Sequence, residues 1–241
     1  MVRSIPVIDG LTLTPTTRDG VPWADEVVRR HGVAVDDAVA SLLHAIPGCF
    51  ASTSDEDLAA GLIGAGATLV RHAYAMRRHR PFPPCPTQQE FRPFGPDGSP
   101  PVPWEGVLPS FLSAYPFDHP DHMPGGPSLI ADYLIPYTAG ARLGPLIAPA
   151  SAIAVRDGVA YAGILVVDRP GEGAWVCDLW RDPSPEYAGA GGRLLAWSMD
   201  RLEDHDSLGL VVTVSNGSAM RAYARAGFAI ESTAWTMRLP G

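Results

Sequence analysis

Short apolar runs bounded by polar and turn residues predict strands in the second half of the chain. Two such stretches are residues 151–157 (SAIAVRD) and 159–168 (VAYAGILVVD), joined by Asp157 and Gly158, a pair that favours a tight hairpin turn. Three further stretches have strand character: residues 174–181, 208–215 and 232–239. This half of the chain is therefore predicted to be rich in strands.

Apolar residues at helical spacing predict the helices between these strands. After a glycine-rich stretch, one such helix carries its apolar side chains at Leu194, Leu195, Met199 and Leu202. A second helix, SAMRAYARAGF, ends at Gly227. Further helices are predicted at residues 24–45, 55–65, 107–116 and 128–140, whereas residues 67–78 suit a strand or a helix. This order of strands and helices predicts a mixed α/β fold.

Composition changes sharply between about residues 80 and 127, which are dense in Pro and Gly. Such a region cannot form long regular elements, so it is predicted to be a linker with one short strand at Glu90–Phe94. We place a domain boundary near Thr87, which divides the chain into residues 1–86 and 87–241.

Charge and cysteine content narrow the possible functions. The formal net charge is −8 and all 18 basic residues are Arg, so binding to nucleic acid is not expected, and an amine-bearing partner is favoured. The three cysteines share no metal-ligand or CxxC spacing, and no run of eighteen apolar residues indicates a membrane span. The first residues lack the apolar stretch of a signal peptide, so a cytoplasmic location is expected.

The glycine-rich stretch PEYAGAGGRLL, residues 185–195, follows a predicted strand and opens a helix. Bare backbone N–H groups at a helix N-terminus can bind a diphosphate, although a purely structural turn is an alternative. The chain contains no Lys for a P-loop, and Leu194 occupies the last position of a would-be GxGxxG fingerprint. Both of those nucleotide-binding motifs are therefore excluded.

One family has a similar segment at this point. DLWRDPSPEYAGAGGRLL resembles the coenzyme-A loop of the GNAT superfamily of N-acetyltransferases, in which a strand and Val-x-Pro precede [Gln/Arg]-x-x-Gly-x-[Gly/Ala]. Pro183 falls on the family's proline, and Gly189 and Gly191 fall on its two glycines. Glu186 replaces the usual Gln or Arg, and Arg181 replaces the usual Val, so Arg181 is a candidate source of positive charge.

A second segment, NGSAMRAYARAGF, resembles the same family's N-x-x-A-x-x-x-Y-x-x-x-G-F. The matching residues here are Asn216, Ala219, Tyr223, Gly227 and Phe228. The resemblance covers roughly residues 88–241. It implies a GNAT-type α/β (α+β) fold, with a mixed, mostly antiparallel sheet flanked by helices, plus a smaller N-terminal α/β segment.

The resemblance also implies acetyl-CoA as co-substrate. The residues expected to bind it are Leu179, Trp180, Arg181, Tyr187, Ala188, Gly189, Ala190, Gly191, Gly192, Asn216, Ala219 and Tyr223. The resemblance puts Tyr223 at the position of the general acid, since a positioned phenol can protonate a departing thiolate; simple packing of the ring is the alternative. Asp178 is a candidate base for the amine, or a carboxylate bound at a strand end.

The acceptor side is predicted from the segment DHPDH at residues 118–122. The resemblance implies that this loop lines the acceptor pocket, so His119, Asp121 and His122 are candidate substrate-binding residues, together with Tyr115 just before the loop. A metal site is the less favoured interpretation of the same cluster. Trp104, Tyr133 and Tyr137 are candidate pocket walls, with a role in the core as the alternative.

Residues 48–77 align with residues 209–238 at a constant offset of 161, with seven identities; chance similarity in an Ala-rich chain is the alternative to a repeat. Leu62 then stands where Tyr223 does, and no glycine-rich turn precedes it. We therefore predict that residues 1–86 are a degenerate, half-GNAT-like copy that cannot catalyse the reaction.

The predicted function is transfer of an acetyl group from acetyl-CoA to a primary amine, most simply of a small molecule. A protein N-terminus or lysine is an alternative acceptor. A non-catalytic acyl-CoA-binding module and a dinucleotide-dependent enzyme are alternative functions. The sequence is compatible with a monomer or a homodimer.

Overall fold

The protein is described by a computed structural model that covers residues 5–18, 21–86 and 88–241. In chain order its main elements are β1 (Leu11–Arg18), β2 (Val21–Arg29), α1 (Val35–Ala45), β3 (Phe50–Thr53), α2 (Glu56–Gly64), β4 (Thr68–His79), β5 (Phe91–Pro93), α3 (Trp104–Ala114), α4 (Ile135–Thr138, preceded by a π-helical turn at Ile130–Leu134), β6 (Ala152–Arg156), β7 (Val159–Arg169), β8 (Gly173–Arg181), α5 (Ala190–Asp200), β9 (Ser207–Thr213), α6 (Gly217–Arg225) and β10 (Ala229–Arg238).

These elements divide into two compact units. The first contains the residues up to Ala75 with Thr213–Ser215 and Ile230–Gly241, and the second contains Met76–Val212 and Asn216–Ala229. The predicted boundary at Thr87 lies outside the described residues, and the division into compact units falls inside β4. The assignment of residues 1–86 and 87–241 to two domains stays a prediction.

The first unit is built on the strand order β1-β2-β3-β10-β4. β1–β2 and β3–β10 are antiparallel pairs, whereas β2 and β3 are parallel. Helices α1 and α2 contact each other and share a buried apolar cluster with the strands; its fully enclosed members include Ala24, Val27, Leu42, Leu58, Leu62 and Met237.

The predicted helix at residues 24–45 is wrong in its first part, because residues 21–29 form β2. The register between β1 and β2 shifts near Glu26, which has φ of +53°. This bulge inserts one extra residue, so Ala24 and Val27 both face the core at a spacing of three. A three-residue spacing of apolar side chains imitates a helix, which explains the error.

The second unit has the strand order β9-β8-β7-β6-β5, in which β8 and β9 are parallel and the other pairs are antiparallel. Helix α3 packs on one face through Phe111, against a cluster that includes Ile153, Leu165 and Trp180. Helix α5 contacts β6, β7 and β8, the three strands that carry these residues. Ile164, the neighbour of Leu165 on β7, is also fully buried. The predicted fold class, mixed α/β with mostly antiparallel strands flanked by helices, is confirmed.

Gly163 on β7 gives the Trp180 ring room to lie flat on the sheet. A Cβ at Gly163 would come within 2.2 Å of that ring. Trp180 is 2% exposed, and its indole N–H donates to Ser110 Oγ of α3 at 3.3 Å. The side chain of Trp180 therefore joins α3 to β8.

The two segments of the predicted repeat contain corresponding elements. At the offset of 161 the bounds of α2 coincide with those of α6, and both helices begin with a capping side chain, Asp55 or Asn216, that accepts the N–H three residues later at 3.1 Å. Gly66 and Gly227, which follow the two helices, both have positive φ, at +95° and +83°. Within the part of the chain that the structure describes, no helix is both long and apolar enough to cross a membrane.

Candidate active site

The glycine-rich turn between β8 and α5 leaves backbone donors free. A 3₁₀ turn at Pro185–Tyr187 is followed by Gly189, which has φ of +79°, and α5 begins at Ala190. The first N–H paired within the helix is that of Arg193, which donates to Gly189 O at 3.1 Å. Among the described residues, the N–H groups of residues 189–192 have no acceptor, so they form a positive helix end.

Two of the predicted backbone donors are already used within the turn. The Tyr187 N–H donates to Ser184 O at 3.1 Å, and the Ala188 N–H donates to Pro185 O at 3.0 Å. The set of free donors is therefore narrower than the sequence predicted, and it starts at Gly189. Glu186 is exposed and does not line the adjoining cleft.

Strand β8 separates from β9 beside this turn. Their parallel pairing covers only Trp175 and Val176. The register between β7 and β8 shifts so that Cys177 is an extra, bulged residue. Within the described chain, residues 178–181 have no partner strand on the β9 side, so their backbone groups form an open edge.

A cleft of about 670 Å³ lies between this open edge, the turn and α6. Ten of the predicted cofactor-binding and substrate-binding residues line it: His119, Leu179, Trp180, Arg181, Gly189, Gly191, Gly192, Asn216, Ala219 and Tyr223. The side chain of Trp180 is buried against α3. Tyr115, Asp121, His122, Asp178, Tyr187, Ala188 and Ala190 are not among the lining residues.

Three arginines line the cleft, and the sequence indicated only Arg181. The Arg181 guanidinium donates to the carbonyl oxygens of Asp182 at 2.6 Å and Ser184 at 3.1 Å. Arg78 and Arg225 are additional lining residues. Arg78 belongs to β4 and is distant in sequence from both glycine motifs, so no local pattern could have identified it.

Tyr223 lies on α6, whose ends are defined by the second sequence motif. Asn216 Oδ1 caps the helix by accepting the Ala219 N–H at 3.1 Å, and Phe228 is buried beyond the helix end, 6.0 Å from the Tyr223 ring. Among the described residues, the Tyr223 hydroxyl has no hydrogen-bond partner. Desolvation, with a smaller contribution from the charges of Asp178 and Asp121, raises its pKa above the ordinary value, so it stays protonated at neutral pH.

Asp178 is a buried carboxylate held by two phenols. The Tyr115 hydroxyl donates to Oδ1, and the Tyr133 hydroxyl donates to Oδ2 at 2.9 Å. Burial raises the pKa of Asp178 to about 6, while the two phenol hydrogen bonds oppose the rise. Asp178 is therefore mainly ionised at neutral pH and close to the point at which it accepts a proton.

The predicted acceptor loop lies beside these phenols. The His119 ring is 5.1 Å from that of Tyr115, its Nδ1 accepts the Asp121 N–H at 3.0 Å, and its Nε2 lies 3.4 Å from Asn216 Nδ2. His122 Nδ1 lies 2.8 Å from the carbonyl oxygen of Tyr115. Among the described side chains no group of three or more His, Cys, Asp or Glu is arranged to hold a metal ion.

Tyr133 and Tyr137 were candidate pocket walls with a core role as the alternative. Both pack against the apolar cluster of the second unit and against each other, with ring centroids 4.7 Å apart. Tyr133 was not predicted to contact Asp178, because the two residues are 45 positions apart and only tertiary folding joins them.

Comparison with known proteins bears on the fold. No protein-family model matches the chain, and no curated protein matches it significantly. Solved structures do match. A GCN5-related N-acetyltransferase from Sphaerobacter thermophilus has a TM-score of 0.67 at 16% identity, covering 96% of this chain and 78% of its own. One from Kribbella flavida has a TM-score of 0.61 at 16% identity, covering 99% and 90%.

A third similar structure is a tandem GNAT protein from the clavulanic acid biosynthesis pathway, with a TM-score of 0.51 at 13% identity, covering 94% of this chain and 78% of its own. The resemblance stated from two short motifs is thus confirmed over most of the chain as a likeness of fold. This chain has the fold of the GCN5-related N-acetyltransferases.

Proposed function

We propose that the protein is an N-acetyltransferase that moves an acetyl group from acetyl-CoA to a primary amine of a small molecule. The observation that carries this proposal is the cleft, in which free N–H groups, an open strand edge and the Tyr223 ring line one space. Each feature matches one requirement of the reaction: the N–H groups can bind the diphosphate, the strand edge can bind the pantetheine arm, and the phenol can protonate the leaving thiolate.

The turn at residues 189–192 is the proposed diphosphate site. Its unpaired N–H groups lie at the positive end of α5, where an anion is stabilised without any cationic side chain. Arg78, Arg181 and Arg225 add positive charge along the cleft of an otherwise acidic protein. They supply positive charge in place of the family's Gln or Arg, since Glu186 stands at that position and does not line the cleft.

The open edge of β8 is the proposed site of the pantetheine arm. Leu179, Trp180 and Arg181 line the cleft, and no strand pairs with them on that side in the described chain. The amides of the arm would pair with this edge as an added strand does. The bulge at Cys177 supports this role, since bulges often redirect a strand beside an active site.

Tyr223 is the proposed general acid. The amine attacks the activated carbonyl of the acyl thioester, the C–S bond breaks, and the thiolate that leaves must take up a proton. A phenol kept protonated by desolvation, with no protein acceptor for its hydroxyl among the described residues, suits that donation. Tyr223 lines the same cleft as Leu179 of the open strand edge, which supports contact with the reactive end of the substrate.

Asp178 is the proposed acceptor of the amine's proton, directly or through water. With its pKa raised to about 6 it is ionised at neutral pH yet basic enough to take a proton transiently. His119, Asp121, His122 and Tyr115 lie near it and are proposed to recognise the amine. Two carboxylates beside aromatic rings favour a cationic acceptor over an anionic one.

For the N-terminal region we propose a degenerate half copy of the GNAT fold. Its α2 and β4 correspond to α6 and β10, and Leu62, fully buried, replaces the general acid. The similarity to a tandem GNAT protein supports a duplicated origin. This region then contributes structure rather than a second reaction.

Two measurements test the proposal. Calorimetry on the purified protein should detect the binding of coenzyme A. An assay of small amines and peptides with acetyl-CoA, read by the release of free thiol, should detect turnover. Tyr223→Phe should lower kcat at least about 100-fold while leaving coenzyme-A affinity within twofold. Absence of heat with millimolar coenzyme A would refute the proposal, whereas binding without turnover of any amine would favour a non-catalytic module.

A further inference from the structure

We propose that Tyr187, Tyr161, Glu90 and Arg156, here named the tyrosine brace, position the glycine-rich turn and thereby determine the affinity for acetyl-CoA. This inference rests on the proposed function. Tyr187 would act through its side chain, in place of the backbone contact expected from its sequence position. None of the four residues lines the cleft, so each is a positioning residue.

The centre of the brace is a pair of stacked rings. Tyr187 ends the 3₁₀ turn that precedes Gly189, and its ring lies on that of Tyr161, with centroids 4.3 Å apart and planes 11° from parallel. Tyr161 belongs to β7 and is 1% exposed, so it is a fixed part of the sheet. The stack therefore ties a short surface turn to a rigid strand.

A charged group fixes the Tyr161 side of the stack. The Tyr161 hydroxyl donates to Glu90 Oε2 at 2.6 Å, and Arg156 donates to both oxygens of Glu90, at 2.6 and 3.3 Å. The Arg156 guanidinium also lies 5.3 Å from the Tyr161 ring and 5.5 Å from the Tyr187 ring. One arginine thus links the carboxylate to both aromatic rings.

The turn is also held at its other end. The Asp182 carboxylate accepts from the Ser184 N–H at 2.9 Å and from Ser113 Oγ of α3 at 3.0 Å. From α5, Arg193 donates to Ala188 O at 3.3 Å. The turn is therefore pre-formed by side-chain contacts on both sides of the donors at residues 189–192.

Pre-formation matters because a flexible turn would have to be ordered when the diphosphate binds. That ordering cost weakens ground-state and transition-state complexes equally. Loss of the brace should therefore raise the KM for acetyl-CoA and leave kcat nearly unchanged. A residue that supports the chemistry itself would instead lower kcat.

The decisive comparison is Tyr187→Leu against Tyr187→Phe. Among the described residues the Tyr187 hydroxyl has no hydrogen-bond partner, so Phe retains the whole stack and Leu removes it. We expect Tyr187→Leu to raise the dissociation constant for coenzyme A and the KM for acetyl-CoA about five- to tenfold. Tyr187→Phe should stay within twofold of the unsubstituted protein in both, and kcat should stay within twofold for either variant.

Calorimetry with coenzyme A alone gives a readout that needs no turnover. Circular dichroism and thermal unfolding verify that Tyr187→Leu is folded. If it is not, Glu90→Gln replaces it as the test variant, because this substitution weakens the bond to Arg156. Glu90→Gln should raise the dissociation constant for coenzyme A about two- to fivefold. Unchanged affinity in a folded Tyr187→Leu or Glu90→Gln variant would overturn the brace alone. No coenzyme-A binding by the unsubstituted protein would overturn the proposed function and the brace with it.

Discussion

Replacing Tyr133 by Phe should move the acid limb of the pH–rate profile upward. The substitution keeps the ring in its apolar surroundings and removes only the hydroxyl that donates to Asp178 Oδ2 at 2.9 Å. That hydrogen bond stabilises the ionised carboxylate, so its loss raises the pKa of Asp178 above the present value of about 6. Since the ionised form is the proposed base, activity would be lost at a higher pH than before.

The size of the shift follows from the energy of one hydrogen bond. A bond to a charged group contributes about 1.5–3 kcal/mol, and 1.36 kcal/mol corresponds to one pKa unit. Removing one of two such bonds should therefore raise the pKa of Asp178 by about one to two units. At pH 6.5 this would lower kcat/KM by about threefold for a shift of one unit and about 25-fold for a shift of two units, whereas above pH 9 the change should be within about twofold.

The assay is kcat/KM for one amine acceptor between pH 5 and 9.5, because that ratio reports ionisations of the free enzyme. Tyr137→Phe is the matched control, since Tyr137 belongs to the same aromatic group and donates no hydrogen bond to Asp178. Its acid limb should move by less than about 0.3 units. An unchanged acid limb in Tyr133→Phe, or a uniform loss of activity at every pH, would refute a role for Asp178 as the titrating base.

Two glycines allow further predictions, each measured by urea unfolding. Gly189→Ala should lower the free energy of unfolding by about 1–2 kcal/mol, because φ at this position is +79°. The control is Gly191→Ala, on the same helix without positive φ, which should leave the stability unchanged or raise it slightly. Equal effects of the two substitutions would contradict the explanation. Gly163→Ala should lower the free energy of unfolding by about 1–3 kcal/mol, because its Cβ would lie 2.2 Å from the Trp180 ring. Stability unchanged in Gly163→Ala would show that this ring moves freely.

The features that the sequence could predict are local ones. Asn216 caps α6 three residues before its partner N–H, and Gly227 ends the helix with a positive φ. Both requirements involve only neighbouring residues, so a short motif is enough to identify them. The same holds for Gly189 at the start of α5.

Features that depend on strand pairing could not be predicted from the sequence. The bulge at Glu26 turned an apolar alternation into a helix-like spacing, and the bulge at Cys177 left no pattern at all. Arg78 and Tyr133 reach the site from elements far away in the chain. Which residues meet across a sheet depends on register, and register is not encoded in any single stretch.

The interleaving of the two compact units has a practical meaning for dissecting this protein. Helix α6, which carries Tyr223, belongs to one unit, while the residues just before it and the strand just after it belong to the other. β10 has β3 and β4 as its neighbours, and both are encoded before residue 80. A truncated gene that starts at the proline-rich region would lack both strands that flank β10. Both edges of β10 would then be exposed, and unpaired strand edges promote aggregation. The unit proposed to carry the reaction therefore cannot be excised as one continuous stretch of polypeptide.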